Sequence, residues 1–164
     1  MEPVDVRDLL ERPGTSRRLR LREPVPGMRT ELASVADEEP VMMELLLEGV
    51  VEGVYVTGPV AGTWRLSCAR CLRPLEQDFR VEVSELFARD PDEEADEYAV
   101  GDTRIDLEPM VRDAVVLAMP FSPLCRLDCL GLCERCGGDR NLGECSCGPR
   151  TDPRWAALDQ LNLD

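Results

Sequence analysis

The order of apolar and polar positions divides the chain into segments of different period. Phe79-Arg80-Val81-Glu82-Val83 alternates strictly, the pattern of a strand with one face in solvent. It sits inside a strand expected over Leu75–Phe87, and Val60–Leu66 reads as the strand before it. Met42–Val56 is rich in Leu and Val. Its Glu44, Glu48 and Glu52 recur every four residues, as on a helix face. Gly49, Gly53 and the runs Val50-Val51 and Val54-Tyr55-Val56 favour strands joined by a bulge or tight turn instead. Val41–Phe87 is therefore expected to be an antiparallel β meander.

Asp106–Met119 has the helical period. Leu107, Met110, Val111, Ala114, Val115 and Ala118 fall on one face, which most simply covers the sheet. Asp106 suits the N-cap, Glu108 the first turn, and Pro109 can sit there without losing a needed donor. Pro120 and Pro123 stop the helix. A shorter helix is expected from Asp152-Pro153, with Trp155, Leu158 and Leu161 on one side docking on the body. Val4–Leu10 reads as a short strand or helical turn. Asp90–Asp102 holds seven acids and no base and is expected to be a solvated loop.

Charge alters the picture at the N-terminus. The chain has 164 residues, with 33 acids and 19 bases for a net charge of −14. Arg12–Thr30 runs against that balance, with six Arg (among them Arg17, Arg18, Arg20 and Arg22) and only Glu23 opposed. Residues 1–33 are thus expected to be a basic arm, with Arg17, Arg18, Arg20 and Arg22 as candidate RNA contacts. Pairing of the arm with the acidic body accounts for the same pattern. All 19 bases are Arg, and the chain has neither His nor Lys. That closes the Ser-His-Asp triad, the His-containing zinc hydrolases, the Walker A lysine and Schiff-base chemistry. Ile105 is the single isoleucine, so GC-rich coding explains the missing Lys. Acids interrupt the first eleven residues, and no apolar run approaches the roughly 18 residues of a membrane helix, so a cytoplasmic protein is expected.

Eight cysteines supply the remaining chemistry. They form four close pairs: Cys68 with Cys71, Cys125 with Cys129, Cys133 with Cys136, and Cys145 with Cys147. In a reducing compartment such pairs read as metal ligands, and two pairs complete a tetrahedral thiolate site. Gly-Leu-Cys133-Glu-Arg-Cys136-Gly137-Gly has the form of a zinc-knuckle turn, with Cys145 and Cys147 its nearest downstream partners. Cys68, Cys71, Cys125 and Cys129 then make one expected Zn2+ site, and Cys133, Cys136, Cys145 and Cys147 the other. Crossed pairings, one shared site, disulfides, redox-active thiols and iron are compatible with the same spacings. A site closed by four thiolates leaves no position to activate water, so the expected role of the metal is structural and the protein is expected not to be an enzyme.

The fold class expected from these elements is α+β: an antiparallel β meander packed against one main helix, with a Cys-rich zinc-stapled C-terminal segment. The expected divisions are a basic arm at 1–33, an α+β core at 34–122, a zinc-ribbon-like segment at 123–149 and a short helix at 150–164.

Cys68-Ala-Arg-Cys-Leu-Arg-Pro after a strand, Ile105-Asp-Leu before an apolar helix ending Leu-Ala-Met-Pro, then Pro-Leu-Cys125, Gly-Leu-Cys-Glu-Arg-Cys-Gly and Asp-Pro-Arg-Trp-Ala-Ala-Leu together resemble the YceD family. Its members are called large ribosomal RNA subunit accumulation proteins. The resemblance spans nearly the whole chain. It implies a bacterial or plastid protein needed for accumulation of 23S rRNA, without catalysis. The implied partners are large-subunit pre-rRNA, a ribosomal protein or an rRNA-processing factor, with no membrane and no small-molecule substrate. A thiol-based redox or zinc sensor is the alternative that the cysteine content suggests.

Overall fold

A computed structural model describes residues 1–91, 97–143, 145–147 and 154. Along the chain run β1 (Val4–Asp5), α1 (Arg7–Glu11), β2 (Ser16–Pro24), β3 (Ala33–Ser34), β4 (Pro40–Gly49), β5 (Gly53–Ser67), β6 (Pro74–Ala88), β7 (Tyr98–Gly101), β8 (Arg104–Ile105) and α2 (Leu107–Ala118). The protein is mostly β. The described strands form one eight-stranded sheet in the order β1-β8-β7-β6-β5-β4-β2, with β3 pairing β5.

β4, β5 and β6 are consecutive antiparallel neighbours, as the meander reading expects. Period-two burial builds them: Val41, Met43, Leu45 and Leu47 of β4 are buried, while the residues between them are not. Gly49 pairs with Val54, and the backbones of Val50 and Gly53 bond each other, so the glycines flank a tight turn at Val51-Glu52. The expected break before Val60 does not occur. β5 runs unbroken through Gly58 and Pro59, and its pairing with β4 lapses there, where proline has no N–H to give. β6 continues the pairing past this point.

The segment expected to be a basic arm takes another form. Ser16–Pro24 is an edge strand paired with β4 from Ser16↔Glu48 to Pro24↔Pro40. Leu19 and Leu21 alternate with the arginines and pack on the core, while Arg18, Arg20 and Arg22 point outward. Val6, Leu9, Leu10, Val25 and Met28 from residues 1–33 lie in the same core. Burial of these apolar positions outweighs the freedom the charged stretch would keep as an arm.

The sheet curls. β1 and β2 end the strand order, yet ten residues separate them in sequence. Arg17 on β2 donates to the Asp5 carbonyl on β1 at 2.6 Å and pairs with Asp8 at 3.4 Å. Arg89, just past β6, donates to the carbonyl of Leu10 beside α1.

α2 begins at Asp106, whose side chain accepts from the Glu108 N–H at 3.0 Å. Its Leu107, Met110, Val111 and Val115 are buried in the core that the strands line, and the helix lies against β6. Ala118 is exposed, and Met119 takes the buried place at that end. The loop expected over Asp90–Asp102 is corrected in part: Tyr98–Gly101 forms β7, parallel to β6, with Tyr98 stacked on Phe87. The alternation Tyr98-Ala-Val100 supports that strand beneath the acidic composition. The helix expected from Asp152, with Trp155, Leu158 and Leu161, lies outside the described residues.

Two candidate metal centres

The hairpin turn between β5 and β6 and the chain beyond α2 meet at Cys68, Cys71, Cys125 and Cys129. Each of the four offers a sulfur within 4.8 Å of the others. Cys68 and Cys129 sulfurs lie 3.9 Å apart, and those of Cys71 and Cys125 lie 3.7 Å apart. Zinc–sulfur bonds of about 2.3 Å in a tetrahedron put sulfurs roughly 3.8 Å apart, so the set fits such an ion. Cys133, Cys136, Cys145 and Cys147 form a second group with the same limit. All eight thiols are free. The two groupings are those the spacing suggests.

One turn is built twice. The Leu72 N–H bonds the Cys68 carbonyl at 2.9 Å, and the Cys68 N–H bonds Arg73 at 2.9 Å. At the second centre the Gly137 N–H bonds the Cys133 carbonyl and the Cys133 N–H bonds Gly138, both at 2.8 Å. In each turn the residue after the second Cys is left-handed: Leu72 at φ 59° and Gly137 at φ 70°. Glycine adopts this freely, whereas leucine is strained by it.

Such a turn aims backbone N–H groups at sulfur. Burial pushes the Cys68 thiol up, but N–H groups of Cys125, Cys71 and Arg70 outweigh it and bring the thiol to about 6. Burial also raises Cys129, and the Gly131 N–H with the Asn141 side chain more than reverse it. Cys125 goes the other way, to about 12, through burial and the neighbouring thiols. Cys71 is raised: the Arg73 N–H lowers it, but burial and the thiols of Cys68 and Cys129 prevail. The second centre repeats the division. The N–H groups of Cys136 and Arg135 bring Cys133 to about 6, while the hydrogen bond with Cys136 and burial push Cys147 to about 11. Lowered and raised thiols thus stand side by side, Cys68 and Cys129 with Cys71 and Cys125 in the first group and Cys133 with Cys147 in the second, and a bound dication would favour the thiolate form of its ligands.

The centres differ in burial. Cys68, Cys71 and Cys129 are buried, whereas Cys136 is exposed and its three partners are half-buried. Arg70 helps lock the first centre, donating to the Cys129 carbonyl at 2.9 Å and accepting the Leu132 N–H on its own carbonyl at 3.0 Å. Gly131, at φ +73°, passes so close that an added Cβ would sit 3.0 Å from the Arg70 carbonyl oxygen. Arg70 lies within the Cys68–Cys71 motif and Asn141 within no motif, and the role of neither is legible in the sequence, since it depends on which loops meet.

The candidate RNA-contacting arginines divide. Arg18, Arg20 and Arg22 form a row on the outer face of β2, and Arg20 pairs with Glu44 at 3.4 Å. Arg17 lies on the other face and is engaged with Asp5 and Asp8. None of the four touches a cysteine centre among the described contacts. No described helix is long and apolar enough to cross a membrane.

The model of the family described as "Large ribosomal RNA subunit accumulation protein YceD" matches residues 56–162, a span holding both cysteine groups. An uncharacterised protein of Mycobacterium tuberculosis strain H37Rv is 39% identical over 165 residues, covering 96% of this chain and 80% of the relative. The "Large ribosomal RNA subunit accumulation protein YCED homolog 1, chloroplastic" of Zea mays is 25% identical over 140 residues, 65% of this chain and 45% of that protein. Uncharacterised YlbN of Bacillus subtilis is 30% identical over 107 residues, 62% of each. No solved structure matches the chain. The family model covers more than half of the chain, and the chain belongs to the YceD family, whose name refers to accumulation of large-subunit ribosomal RNA.

Proposed function

We propose that the protein is a non-catalytic, zinc-binding factor in large ribosomal subunit biogenesis that supports 23S rRNA accumulation or processing in the cytoplasm. The observation that carries this reading is the buried thiol tetrad Cys68, Cys71, Cys125 and Cys129, lying inside the span that the family model matches. Four thiolates complete a zinc tetrahedron, so the ion serves as a cross-link between the β5–β6 turn and the chain after α2. Cys133, Cys136, Cys145 and Cys147 hold a second Zn2+ in the same way. Iron has the same donor preference, and metal analysis of the purified protein distinguishes the two.

Contacts to pre-rRNA run through Arg18, Arg20 and Arg22. Alternate strand residues stand about 7 Å apart, and each guanidinium can take a phosphate by two hydrogen bonds. The acidic remainder of the surface favours a basic ribosomal protein or a processing factor as a second contact, through charge steering.

The test is the ratio of large- to small-subunit rRNA in cells depleted of the protein. The ratio falls on depletion and is restored by the wild-type chain but not by Cys68→Ser/Cys71→Ser. An unchanged ratio under verified depletion removes the ribosomal role. A thiol-based redox or zinc sensor is the second reading, favoured by the exposed Cys136 beside a Cys133 thiol brought to about 6. That reading requires zinc loss and a reversible disulfide under mild peroxide, and retention of zinc there sets it aside.

A further inference from the structure

The loop between Cys136 and Cys145 belongs to the second cysteine group, yet it reaches the first. Asn141 is its point of contact. One N–H of its side-chain amide points at the Cys129 sulfur, 3.5 Å away, and the amide also donates to Asp139 Oδ1 at 2.6 Å. Its Oδ1 accepts from the Leu130 N–H at 2.9 Å and from Arg126 at 2.8 Å. A primary amide has two donors and two acceptor sites, and here all four are engaged, so the group has one orientation. Reversing the amide would put oxygen against sulfur and nitrogen against two donors. Asp139, which also accepts the Asn141 N–H at 2.9 Å, is itself paired with Arg73 at 3.4 Å, beyond the Cys68–Cys71 turn. The Arg140 N–H bonds the Gly131 carbonyl at 3.0 Å. Residues 139–141 are therefore laced to the first centre from inside a loop whose two ends are ligands of the second.

We infer that the two metal centres are coupled through Asn141: it is a positioning residue for Cys129, and an ion in the second centre, by holding the 136–145 loop, slows metal loss from the first. The inference rests on the reading of both cysteine groups as metal centres. An N–H donated to a metal thiolate orients the sulfur, and removing such outer partners typically costs about 10–100-fold in affinity. Closing the 136–145 loop fixes where that donor stands. Opening it frees the donor to leave.

The experiment follows zinc release from the full-length, zinc-loaded protein into an excess of the chelating dye 4-pyridylazoresorcinol. Wild type is compared with Asn141→Ala, with Cys145→Ser/Cys147→Ser, and with the three changes combined. Release from the first centre is expected to quicken by about tenfold in Asn141→Ala and in the double-serine variant. The combination is expected to be no faster than the double-serine variant, because both act through one hydrogen bond. First-centre release at the wild-type rate in the double-serine variant would overturn the coupling, and so would effects that multiply in the combination. Should substitution at Asn141 prevent folding, cadmium NMR of the wild-type chain at one and two equivalents gives the same answer. The first-centre resonance depends on occupancy of the second if the coupling holds, and is indifferent to it if the coupling is absent. Wild type that binds fewer than two zinc ions would overturn the two-metal reading itself, and the coupling with it.

Discussion

Leu72 carries a left-handed backbone that glycine would carry without strain, and its side chain is 59% exposed. Replacing it by Gly removes little packing and relieves about 1–2 kcal/mol of backbone strain, against about 0.5–1 kcal/mol for glycine's greater freedom when unfolded. Gly131 is the opposite case, because a Cβ there would press on the Arg70 carbonyl in a conformation L residues avoid. Leu72→Gly is expected to leave Tm unchanged or slightly raised. Gly131→Ala is expected to lower it by about 2–8 °C, the shift that about 1–2 kcal/mol produces in a chain of this size. Thermal melts followed by circular dichroism check both, and a stable Gly131→Ala would show that the Arg70 loop yields easily. At this scale the sequence was informative about the cysteines, because thiol pairs announce themselves by spacing. It was silent about Asn141 and Arg70, ordinary polar residues that gain a role only when distant loops meet.

Among elements, β2 shows how two patterns can compete in one stretch. Arg18-Leu19-Arg20-Leu21-Arg22 alternates as an edge strand should, but its charge reads as a solvated arm when taken alone. The pairing with β4 reconciles them, with leucines inward and arginines outward. Because those arginines point away from the core, Arg18→Ser/Arg20→Ser/Arg22→Ser is expected to fold with a Tm close to wild type. The same variant is expected to bind large-subunit precursor RNA more weakly and with a shallower salt dependence, by roughly three counterions in a plot of log affinity against log salt. Filter binding across a salt series measures this. An unchanged slope would take the row out of the RNA contact. β7 is hidden for a related reason: its four residues follow an acid-rich run, with Tyr98 and Ala99 pairing in parallel with β6 and Val100 and Gly101 antiparallel with β8. The β4–β6 meander and α2 were legible because long periodic segments leave little choice of which face to bury.

Over the whole molecule, the main core and the cysteine cluster are distinct sets of buried residues that meet at Leu75. Val6 to Met119 supply one apolar cluster, while Cys68, Cys71 and Cys129 form another with Leu75, Leu124 and Leu132 around them. Chelation should therefore release the segment after α2 while the sheet persists. Hydrogen exchange in excess EDTA is expected to quicken at residues 123–147 ahead of the β4–β6 strands, and simultaneous quickening everywhere would refute a separate unit. Acid should act in the same sense. Cys125 at about 12 and the raised Cys71 must give up protons to bind metal, so affinity falls as pH falls, and zinc uptake releases protons. Calorimetric titration in two buffers of different ionisation heat counts those protons.

The pairing of Val4 with Ile105 sets a timetable for biosynthesis. The first described strand waits for a partner that is translated roughly 5–20 seconds later at the usual rates of synthesis. Until then α1 has no finished sheet to lie on, and Val6 and Leu9, wholly buried at the end, stay open to solvent or to a chaperone. The cysteines after α2 are later still, so a zinc ion can close the first centre only once every described strand of the sheet has been synthesised. Metal capture at the first centre would then be a late step, after all the described strands have been made.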